Sequence, residues 1–306
     1  MTRVICLGDI MTDVVARLPG PLAIGSDTPT NVAFVGGGSA ANTACWLAAA
    51  GVPSVIVGRV GDDDRGRTAK LLLREAGVQL AVAVDRDRPT GTCVVLIGES
   101  GERTMVPDAG ANSALQIGDL PTELFVPGSH LHVSGYALLS HTVRPTALAA
   151  IALAHERGLS VSVDAASAAL IRLVGSSQFL SWIGRPTPLF ANADEAQALS
   201  GHISALDAAR ALSFHCGQTV VKLGADGALW AENGHASSVP TTPLRVVDTT
   251  GAGDAFAAGF LAARIGGIAP LLATRLAHTY AAQAVIQLGG RPRPGSLSSP
   301  GPSLRP

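Results

Sequence analysis

Residues 248–260 are DTTGAGDAFAAGF, a glycine-rich turn that leads into an alanine-rich run. The alanine-rich run is typical of a helix, and Asp254 stands close to its first residue. An acid at this position commonly caps the helix or complements the partial positive charge of its N-terminus. The same position also suits a base beside a bound phosphate, because helix N-termini attract anions. The stretch alone leaves both interpretations open.

Around this stretch, short β-rich runs alternate with longer alanine- and leucine-rich segments. Strands are predicted at 4–8, 54–58, 130–134, 159–164 and 219–224, and helices at 39–50, 64–76, 144–157, 205–215, 252–265 and 270–287. Strands that alternate with helices of this length predict βαβ units. We therefore expect a three-layer α/β/α domain with a mainly parallel central sheet.

Two regions, 12–35 and 90–106, depart from this alternation. The second contains the strand-like runs TGTCVVLI and ERTMV with only a short turn between them. This pattern predicts an antiparallel hairpin outside the main sheet, which would form a small β lid over a cleft. The domain is expected to span 1–290. The Pro/Ser/Gly-rich residues 291–306 are predicted to be a disordered tail.

The composition restricts the classes of partner. The chain has 306 residues, of which 47% are hydrophobic and 15% charged, so it can bury a large core. A net charge of −1 without a Lys/Arg cluster argues against nucleic acid as a partner. No apolar run of roughly 18 residues and no signal-peptide pattern is evident, and no membrane association is expected. Four scattered cysteines suit a reducing compartment, so we expect a cytoplasmic protein.

Two glycine-rich turns, GGGSAAN at 36–42 and TTGAGD at 249–254, each precede a helical run. Neither contains the Walker pattern, and Phe256 stands where a dinucleotide fingerprint requires its third glycine. A P-loop NTPase and a nicotinamide enzyme are therefore disfavoured. Backbone N–H groups that lead into a helix form a general anion site. An adjacent acid completes what phosphoryl transfer requires: positioning, charge neutralisation and a base.

Both turns carry a resemblance to a known family. DTTGAGDAFAAGF is similar to the C-terminal signature of the ribokinase-like (PfkB) carbohydrate kinases. GGGSAANTACWLAAAG, followed by VGRVGDDDRG at 57–66, resembles their N-terminal signature. The two motifs occur in the family's order, about 210 residues apart, and the resemblance extends from about Val4 to Arg291. It implies the ribokinase-like fold and a kinase that uses ATP and Mg²⁺.

The resemblance also implies a role for each matching residue. Asp254 would be the catalytic base, with Gly251, Ala252 and Gly253 as an anion hole for the γ-phosphate. Substrate binding is implied for Asp13, Gly37, Gly38 and Asn42. Nucleotide binding is implied for Asn192, Glu195, Lys222, Gly224, Gly227 and His278. Glu195 would hold Mg²⁺ through water, while Asp248 and Thr250 would bind an activating monovalent cation such as K⁺, partly through main-chain carbonyls.

Several of these residues have simpler interpretations. Asn192 and Glu195 match a capping box at the start of a helix. Asp13 also suits a solvated turn, and Lys222 also suits the protein surface. His130 and His132 are interpreted as ordinary core-edge histidines, and Asp62, Asp63 and Asp64 as part of a structural turn.

The resulting hypothesis is ATP-dependent phosphorylation of a primary hydroxyl on a neutral sugar. Residues 164–170 (DAASAAL) lack the Asn and Arg with which similar kinases bind sugar acids. Residues 135–139 (GYALL) lack the sugar-binding glutamate of ribokinase, which argues against ribose. The alternatives are a nucleoside kinase, of the adenosine, inosine or pseudouridine type, and a non-catalytic sugar-binding regulator. Phe34 is the lone aromatic residue in the lid segments, and it supports a nucleoside weakly. The family resemblance also implies a homodimer formed through the lid.

Overall fold

The computed structural model describes residues 2–98, 102–185 and 188–293. Within them, a nine-stranded central sheet is built from β1 (Val4–Leu7), β4 (Ser54–Gly61), β5 (Gln79–Asp85), β8 (His130–Ser134), β9 (Ser160–Asp164), β10 (Leu189–Asn192), β11 (Gln218–Lys222), β12 (Ala228–Glu232) and β13 (His235–Val239). Their spatial order is β13-β12-β11-β10-β9-β8-β1-β4-β5. All pairs from β5 to β11 are parallel, and β12 and β13 add an antiparallel edge.

Helices cover both faces of this sheet. They are α1 (Ser39–Ala49), α2 (Asp64–Glu75), α3 (Gly135–Leu139), α4 (Arg144–Glu156), α5 (Ala168–Val174), α6 (Ser176–Ile183), α7 (Ala193–Ser200), α8 (Ala205–Cys216), α9 (Ala252–Ile265) and α10 (Pro270–Val285). The central strands β1, β4 and β8 are buried on both sides, as is typical of parallel sheets. Alternate residues of β1 therefore enter two different cores: Ile5 and Leu7 pack with α3 to α8, and Val4 and Cys6 pack with α1, α2, α9 and α10. The predicted α/β/α fold is confirmed.

A separate four-stranded sheet forms the lid. Its strands are β2 (Met11–Arg17), β3 (Val32–Gly37), β6 (Thr92–Ile97) and β7 (Arg103–Asp108), in the order β3-β2-β6-β7. The antiparallel β6–β7 hairpin agrees with the prediction, and residues 99–101 of its turn lie outside the described residues. The parallel pairing of β2 with β6 was not anticipated.

The two faces of the lid differ because successive side chains of a strand point to opposite sides. Met11, Val15, Cys93, Val95 and Ile97 form a small buried core on the inner face. The outer face carries large apolar side chains that are exposed: Val32 (53%), Phe34 (68%), Val94 (39%) and Val106 (59%). The lid therefore has one face turned toward the domain and one apolar face without a cover among the described residues.

Short elements account for most of the differences from the predicted pattern. The strands β5, β10, β12 and β13 and the helices α3, α5 and α6 were not predicted, and each has at most eight residues. Of α7, only the start was predicted, as a capping box at Asn192 and Glu195. Of the predicted tail, 291–293 are described and 294–306 lie outside the described residues. None of the described helices has the length and apolar character needed to cross a membrane.

Candidate active site

The candidate active site is a cavity of about 900 Å³ between the lid and the central sheet. Asp164, Asn192 and Lys222 line it, and each is the last residue of a parallel strand. Ligands of open α/β sheets bind at this edge. The residues predicted from the sequence that line the same cavity are Asp13, Gly38, Asn42, Asn192, Glu195, Lys222, Gly224, Thr250, Gly251, Ala252, Gly253, Asp254 and His278. Gly37, Gly227 and Asp248 lie outside its wall.

Asp254 lies in the first turn of α9 but does not cap that helix. Gly251 occupies the N-cap position, and no side-chain cap is present. The Asp254 carboxylate instead accepts hydrogen bonds from Ser39 Oγ at 2.8 Å and from Asn42 Nδ2 at 2.9 Å, both on α1. Burial raises the pKa of Asp254 to about 7, although the bonds from Asn42 and Ser39 oppose this rise. A carboxylate that accepts protons near neutral pH is suited to act as a general base.

The turn before Asp254 depends on glycine at two positions for different reasons. Gly251 has a φ of 73°, and a Cβ there would overlap the backbone of Gly290. A Cβ on Gly253 would lie 3.1 Å from Lys222 Nζ, so this glycine opens the space in front of the ammonium group. Among the described residues, no acceptor pairs with the amides of Gly253 and Asp254. These are unpaired donors at the start of a helix, and such donors commonly bind anions.

A buried group of charged residues faces the same turn. Lys222 Nζ lies 2.8 Å from Asp164 Oδ2, and both side chains are at most 16% exposed. Burial acts against the charged form of Lys222, but Asp164 and Glu195 outweigh it and raise the pKa of the ammonium group. Burial, reinforced by Asp164, raises the pKa of Glu195 to about 7. The cavity therefore holds one ammonium group among several carboxylates close to the turn that contains Gly253.

Asn192 and Glu195 form the capping box that the simpler interpretation predicted. The Asn192 side chain accepts from Glu195 N at 2.8 Å, and Glu195 Oε2 accepts from Asn192 N at 2.8 Å, at the start of α7. Asn192 Nδ2 also donates to Glu195 Oε1 at 2.8 Å. Both residues nevertheless line the cavity. Capping and ligand binding are thus compatible here, because the cap places two polar side chains at the cavity wall.

At the lid end of the cavity, Asp13 is a buried carboxylate without a protein donor. It is 3% exposed, and no hydrogen-bond donor among the described residues reaches it. Burial raises the pKa of Asp13 to about 6, although Arg291 opposes the rise. A Cβ on Gly37 would overlap this carboxylate, so the glycine makes room for it. Buried acceptors are normally satisfied, so Asp13 is available to the hydroxyl groups of a ligand.

Gly38 and Asp9 shape the adjoining start of α1. Gly38 has a φ of 94° and is the N-cap residue of that helix. Asp9 Oδ2 accepts from Ser39 N at 3.1 Å, which satisfies one of the free amides there. This contact fixes the helix that supplies both partners of Asp254.

Contacts with other protein groups account for the positions of three further predicted residues, Asp248, Gly227 and His278. Asp248 is fully buried and accepts from Thr250 N at 2.8 Å, Thr250 Oγ1 at 2.6 Å and Gly289 N at 2.9 Å. Gly227 has a φ of 94°, and a Cβ there would overlap Val239 O. His278 Nε2 lies 3.1 Å from Val239 O, while its ring lines the cavity.

The histidines and the acidic turn agree with their simpler interpretations. His130 and His132 are buried and lie within 2.8 Å of the hydroxyls of Ser160 and Ser162, and burial lowers the pKa of both. Asp63 caps α2 by accepting from Gly66 N at 2.7 Å. In the described part of the chain, no cluster of three or more His, Cys, Asp or Glu residues could hold a metal.

Four residues of the site escaped the sequence analysis: Ser39, Tyr136, Asp164 and Arg291. Asp164 begins the stretch DAASAAL, which was considered only for the residues that it lacks. Arg291 fell in the predicted tail, yet it donates to Gly37 O at 2.8 Å and to Asn42 Oδ1 at 3.4 Å. Ser39 belongs to the GGGSAAN motif, and membership of that motif was the signal available in the sequence for its contact with Asp254.

Comparison with known proteins agrees with this geometry. Residues 1–294 match the family model for pfkB family carbohydrate kinases. An ATP-dependent ribose-1-phosphate kinase of Halopiger xanaduensis is 33% identical over 265 residues, which are 86% of this chain and 84% of that protein. A fructokinase of Klebsiella pneumoniae is 32% identical over 276 residues, which are 83% and 86% of the two chains.

Solved structures show the same similarity. The adenosine kinase of Sinorhizobium meliloti superimposes with a TM-score of 0.88 at 26% identity and covers 96% of this chain and 97% of its own. A fructokinase of Vibrio cholerae O395, crystallised with fructose, ADP and calcium, superimposes with a TM-score of 0.81 at 29% identity over 95% and 94% of the two chains. The chain therefore belongs to the pfkB family of carbohydrate kinases and is a phosphotransferase.

Proposed function

We propose that this kinase transfers the γ-phosphoryl group of ATP to a primary hydroxyl of a neutral sugar. The observation that carries the proposal is the buried Asp254 carboxylate. Ser39 and Asn42 hold it at the start of α9, next to unpaired backbone amides, and its pKa is about 7. A general base and an anion site thus lie side by side, as in-line phosphoryl transfer requires.

At the lid end, we propose that Asp13 accepts hydrogen bonds from the hydroxyls of the sugar. Its buried carboxylate has no protein donor among the described residues, it lines the cavity, and Gly37 leaves room for it. Asn42 lines the same wall. A sugar bound there would reach Asp254 with one hydroxyl, and the relative named as a fructokinase fits a neutral acceptor.

At the opposite end, we propose that the Gly251–Gly253 turn, with the unpaired amides of Gly253 and Asp254, and the Lys222 ammonium hold the phosphates, while Ala252 N donates to Thr249 O at 3.3 Å. Lys222 would exchange its contact with Asp164 for the γ-phosphate, which the open face of Gly253 admits. Gly224 and His278 border the remaining cavity, where the nucleoside part of ATP fits. Gly227 supports this loop through its backbone instead of facing the ligand.

The residues present also fit Mg²⁺. Glu195 and Asn192 offer oxygen atoms, the ligands that Mg²⁺ prefers, while their mutual hydrogen bonds favour contact through water. When bound, the ion neutralises charge on the phosphates. Asp254 then takes the proton of the acceptor hydroxyl as that oxygen bonds to the γ-phosphorus and ADP leaves. The lid keeps water from replacing the acceptor.

An activating monovalent cation near Asp248 and Thr250 stays a prediction. The Asp248 carboxylate already accepts three hydrogen bonds from protein groups, so these contacts hold it in place without a cation. No step of the reaction is assigned to K⁺. Comparison of rates in K⁺, Na⁺ and choline chlorides at equal ionic strength tests it, with a K⁺-specific increase as the supporting result.

The specific observation that favours the alternative, a nucleoside acceptor, is Tyr136. This side chain is 40% exposed and lines the cavity together with Met105 and Leu170, which are also partly exposed. An aromatic and apolar wall suits the base of a nucleoside. Phe34 does not contribute, since it lies on the outer face of the lid.

We also propose a homodimer through the lid, and a cytoplasmic location. The exposed apolar outer face, with Val32, Phe34, Val94 and Val106, is what a second copy would cover. The four cysteines are free and buried, as expected in a reducing compartment.

An ADP-release screen over neutral sugars, sugar acids and nucleosides tests the proposed function. We expect the highest kcat/KM for a neutral hexose or pentose, complete dependence on Mg²⁺ and loss of turnover in Asp254→Asn. If nucleosides are preferred and Tyr136→Ala removes that preference, the alternative is correct. Binding of ATP and sugar without turnover of any acceptor would instead indicate the non-catalytic regulator.

A further inference from the structure

Arg291 lies where the lid, helix α1 and the segment after α10 meet. Its Nη2 donates to Gly37 O at 2.8 Å, at the last residue of the lid strand β3. Its Nε donates to Asn42 Oδ1 at 3.4 Å. Gln287 Nε2 fixes the arginine's own backbone by donating to its carbonyl at 2.7 Å. One guanidinium group thus contacts the lid and a residue of the active site.

The contact with Asn42 determines which way that amide points. Asn42 Oδ1 faces the Arg291 cation, and Asn42 Nδ2 donates to Asp254 Oδ2 at 2.9 Å. The reverse orientation would place an NH₂ group against the guanidinium and a carbonyl oxygen against the carboxylate, and both contacts are repulsive. Asn42 therefore connects a fixed cation to the carboxylate that we propose as the base.

The surroundings of the guanidinium are shaped to admit it. A Cβ on Gly36 would overlap Arg291 Nη1, so this glycine of the GGGSAAN motif leaves room for the guanidinium where it now lies. Nη1 is buried and has no hydrogen-bond partner among the described residues. The group is therefore held in a confined space by two directed hydrogen bonds, and a lysine could not reproduce them.

We infer that Arg291 is a positioning residue for phosphoryl transfer, which acts through Asn42 to orient the Asp254 carboxylate and ties that carboxylate to the end of the lid. The inference rests on the proposed role of Asp254 as the base. It goes beyond that role because it makes the catalytic geometry depend on the segment after α10. A lid displaced at Gly37 would move Arg291 and, with it, the amide that holds the base.

Loss of Arg291 should change the pH dependence of activity in a direction that follows from the contacts of Asn42. The bond from Asn42 lowers the pKa of Asp254 and stabilises its ionised form. Without Arg291 the amide can turn away, so the pKa of Asp254 rises. Activity then falls most on the acid side of the pH profile.

Other charged groups act on Asp254 and on Asp13 at the lid end of the cavity, and they stay in place in an Arg291 variant. Asp164 from β9 raises the pKa of Asp254, and Lys222 from β11 lowers it. The groups whose charges act on Asp13 are Arg291, Asp9, Asp248 and Arg103. The loss of Arg291 would therefore raise the pKa of Asp13 as well, which makes acceptor binding a second quantity to measure.

The experiment compares Arg291→Gln and Arg291→Lys with Arg293→Gln, which changes an exposed arginine two residues away. We expect kcat to fall about tenfold to a hundredfold in Arg291→Gln, the range that a misplaced reacting group produces. The acid limb of its kcat profile should move to higher pH, and the KM for ATP should stay within about twofold. Arg291→Lys should be intermediate, and Arg293→Gln should match the wild type.

A double-mutant cycle with Asn42→Ala separates positioning from a general loss of structure. If Arg291 acts through Asn42, then Arg291→Gln should lower kcat less than about threefold in the Asn42→Ala background. Multiplicative losses in the double variant would overturn the inference. Should Arg291→Gln fail to fold, the same cycle is run with Arg291→Lys.

A measurement that does not depend on catalysis can test the role of Arg291 separately from the proposed function. The pKa of Asp254 can be followed by ¹³C NMR titration of the aspartate carboxyls, assigned with Asp254→Asn. We expect a higher pKa in Arg291→Gln than in the wild type and in Arg293→Gln. Equal values overturn the role of Arg291 even in a working kinase. An Asp254→Asn variant that keeps its activity overturns the proposed function instead.

Discussion

The Asp254→Asn substitution has opposite expected effects on activity and on stability. Asparagine keeps the shape of the side chain but cannot take up the proton of the acceptor. We therefore expect kcat to fall about 10²- to 10⁴-fold, as for other lost general bases. The same substitution removes a carboxylate that is buried at a pKa of about 7, against an ordinary value of 3.8.

The stability effect follows from the direction of that pKa. Because the folded-state pKa is raised, the stability linked to this group is fully present below about pH 4 and is lost as the pH rises to about 7. Each pKa unit corresponds to about 1.4 kcal/mol, so the wild type should lose roughly 2–3 kcal/mol through Asp254 between pH 5 and pH 8. Asp254→Asn does not titrate and should lose none of it. One hydrogen bond given up to Asn42 offsets the gain by about 1 kcal/mol at either pH.

The assay combines coupled ADP release with urea unfolding of the ligand-free protein at pH 5 and pH 8. We expect Asp254→Asn to be inactive. Its free energy of unfolding minus that of the wild type should be clearly larger at pH 8 than at pH 5. Asp87→Asn, at an exposed turn, is the matched control and should change neither quantity. If Asp254→Asn is destabilised by about 0.5–2 kcal/mol at both pH values and stays active, the residue is a helix cap and our reasoning is wrong.

Three further substitutions test the rest of the site. Gly253→Val should leave a folded protein without turnover, because its side chain would crowd Lys222 Nζ; Gly266→Ala, at the other end of α9, should keep its activity in the same assay. Asp13→Ala should lower kcat/KM for the acceptor by about 10- to 100-fold, since each hydrogen bond to a charged acceptor contributes about 1.5–3 kcal/mol, while isothermal titration shows ATP affinity unchanged. Asp164→Asn leaves Lys222 buried without its ion pair and should lower stability by about 3 kcal/mol; saturating MgATP should restore part of the melting temperature, and an equal loss with and without nucleotide would contradict a phosphate contact of Lys222.

The long elements of the fold could be predicted because they carry strong local patterns. The helices α1, α2, α4, α8, α9 and α10 begin at the residues predicted for them, and the predicted strands overlap the observed ones. The parallel pairing of β2 with β6 could not be predicted, because it joins segments about 80 residues apart and leaves no local pattern. The hairpin of β6 and β7 could, since a short turn between two strand-like runs is a local signal.

The candidate site was predictable where backbone geometry restricts residue type. Gly251 and Gly38 have positive φ values, and the motifs that contain them identified the turns. Arg291 left no such trace, because its partners Gly37 and Asn42 lie about 250 residues earlier. Asn192 and Glu195 showed that two interpretations of one pattern need not compete, since the capping box itself lines the cavity.

The hydrogen bond from Trp46 Nε1 to Gly290 O, at 2.8 Å, has a consequence for biosynthesis. The indole belongs to a fully buried residue of α1, so the N-terminal third of the chain holds a donor whose acceptor is among the last residues of the domain to be made. A chain emerges from the ribosome at about 5–20 residues per second, and its N-terminal part begins to fold first. In the nascent protein, the helix layer that contains α1 therefore lacks this hydrogen bond until Gly290 has been synthesised. Because Gly251 packs on Gly290, the turn before Asp254 gains this contact only after Gly290 has been made.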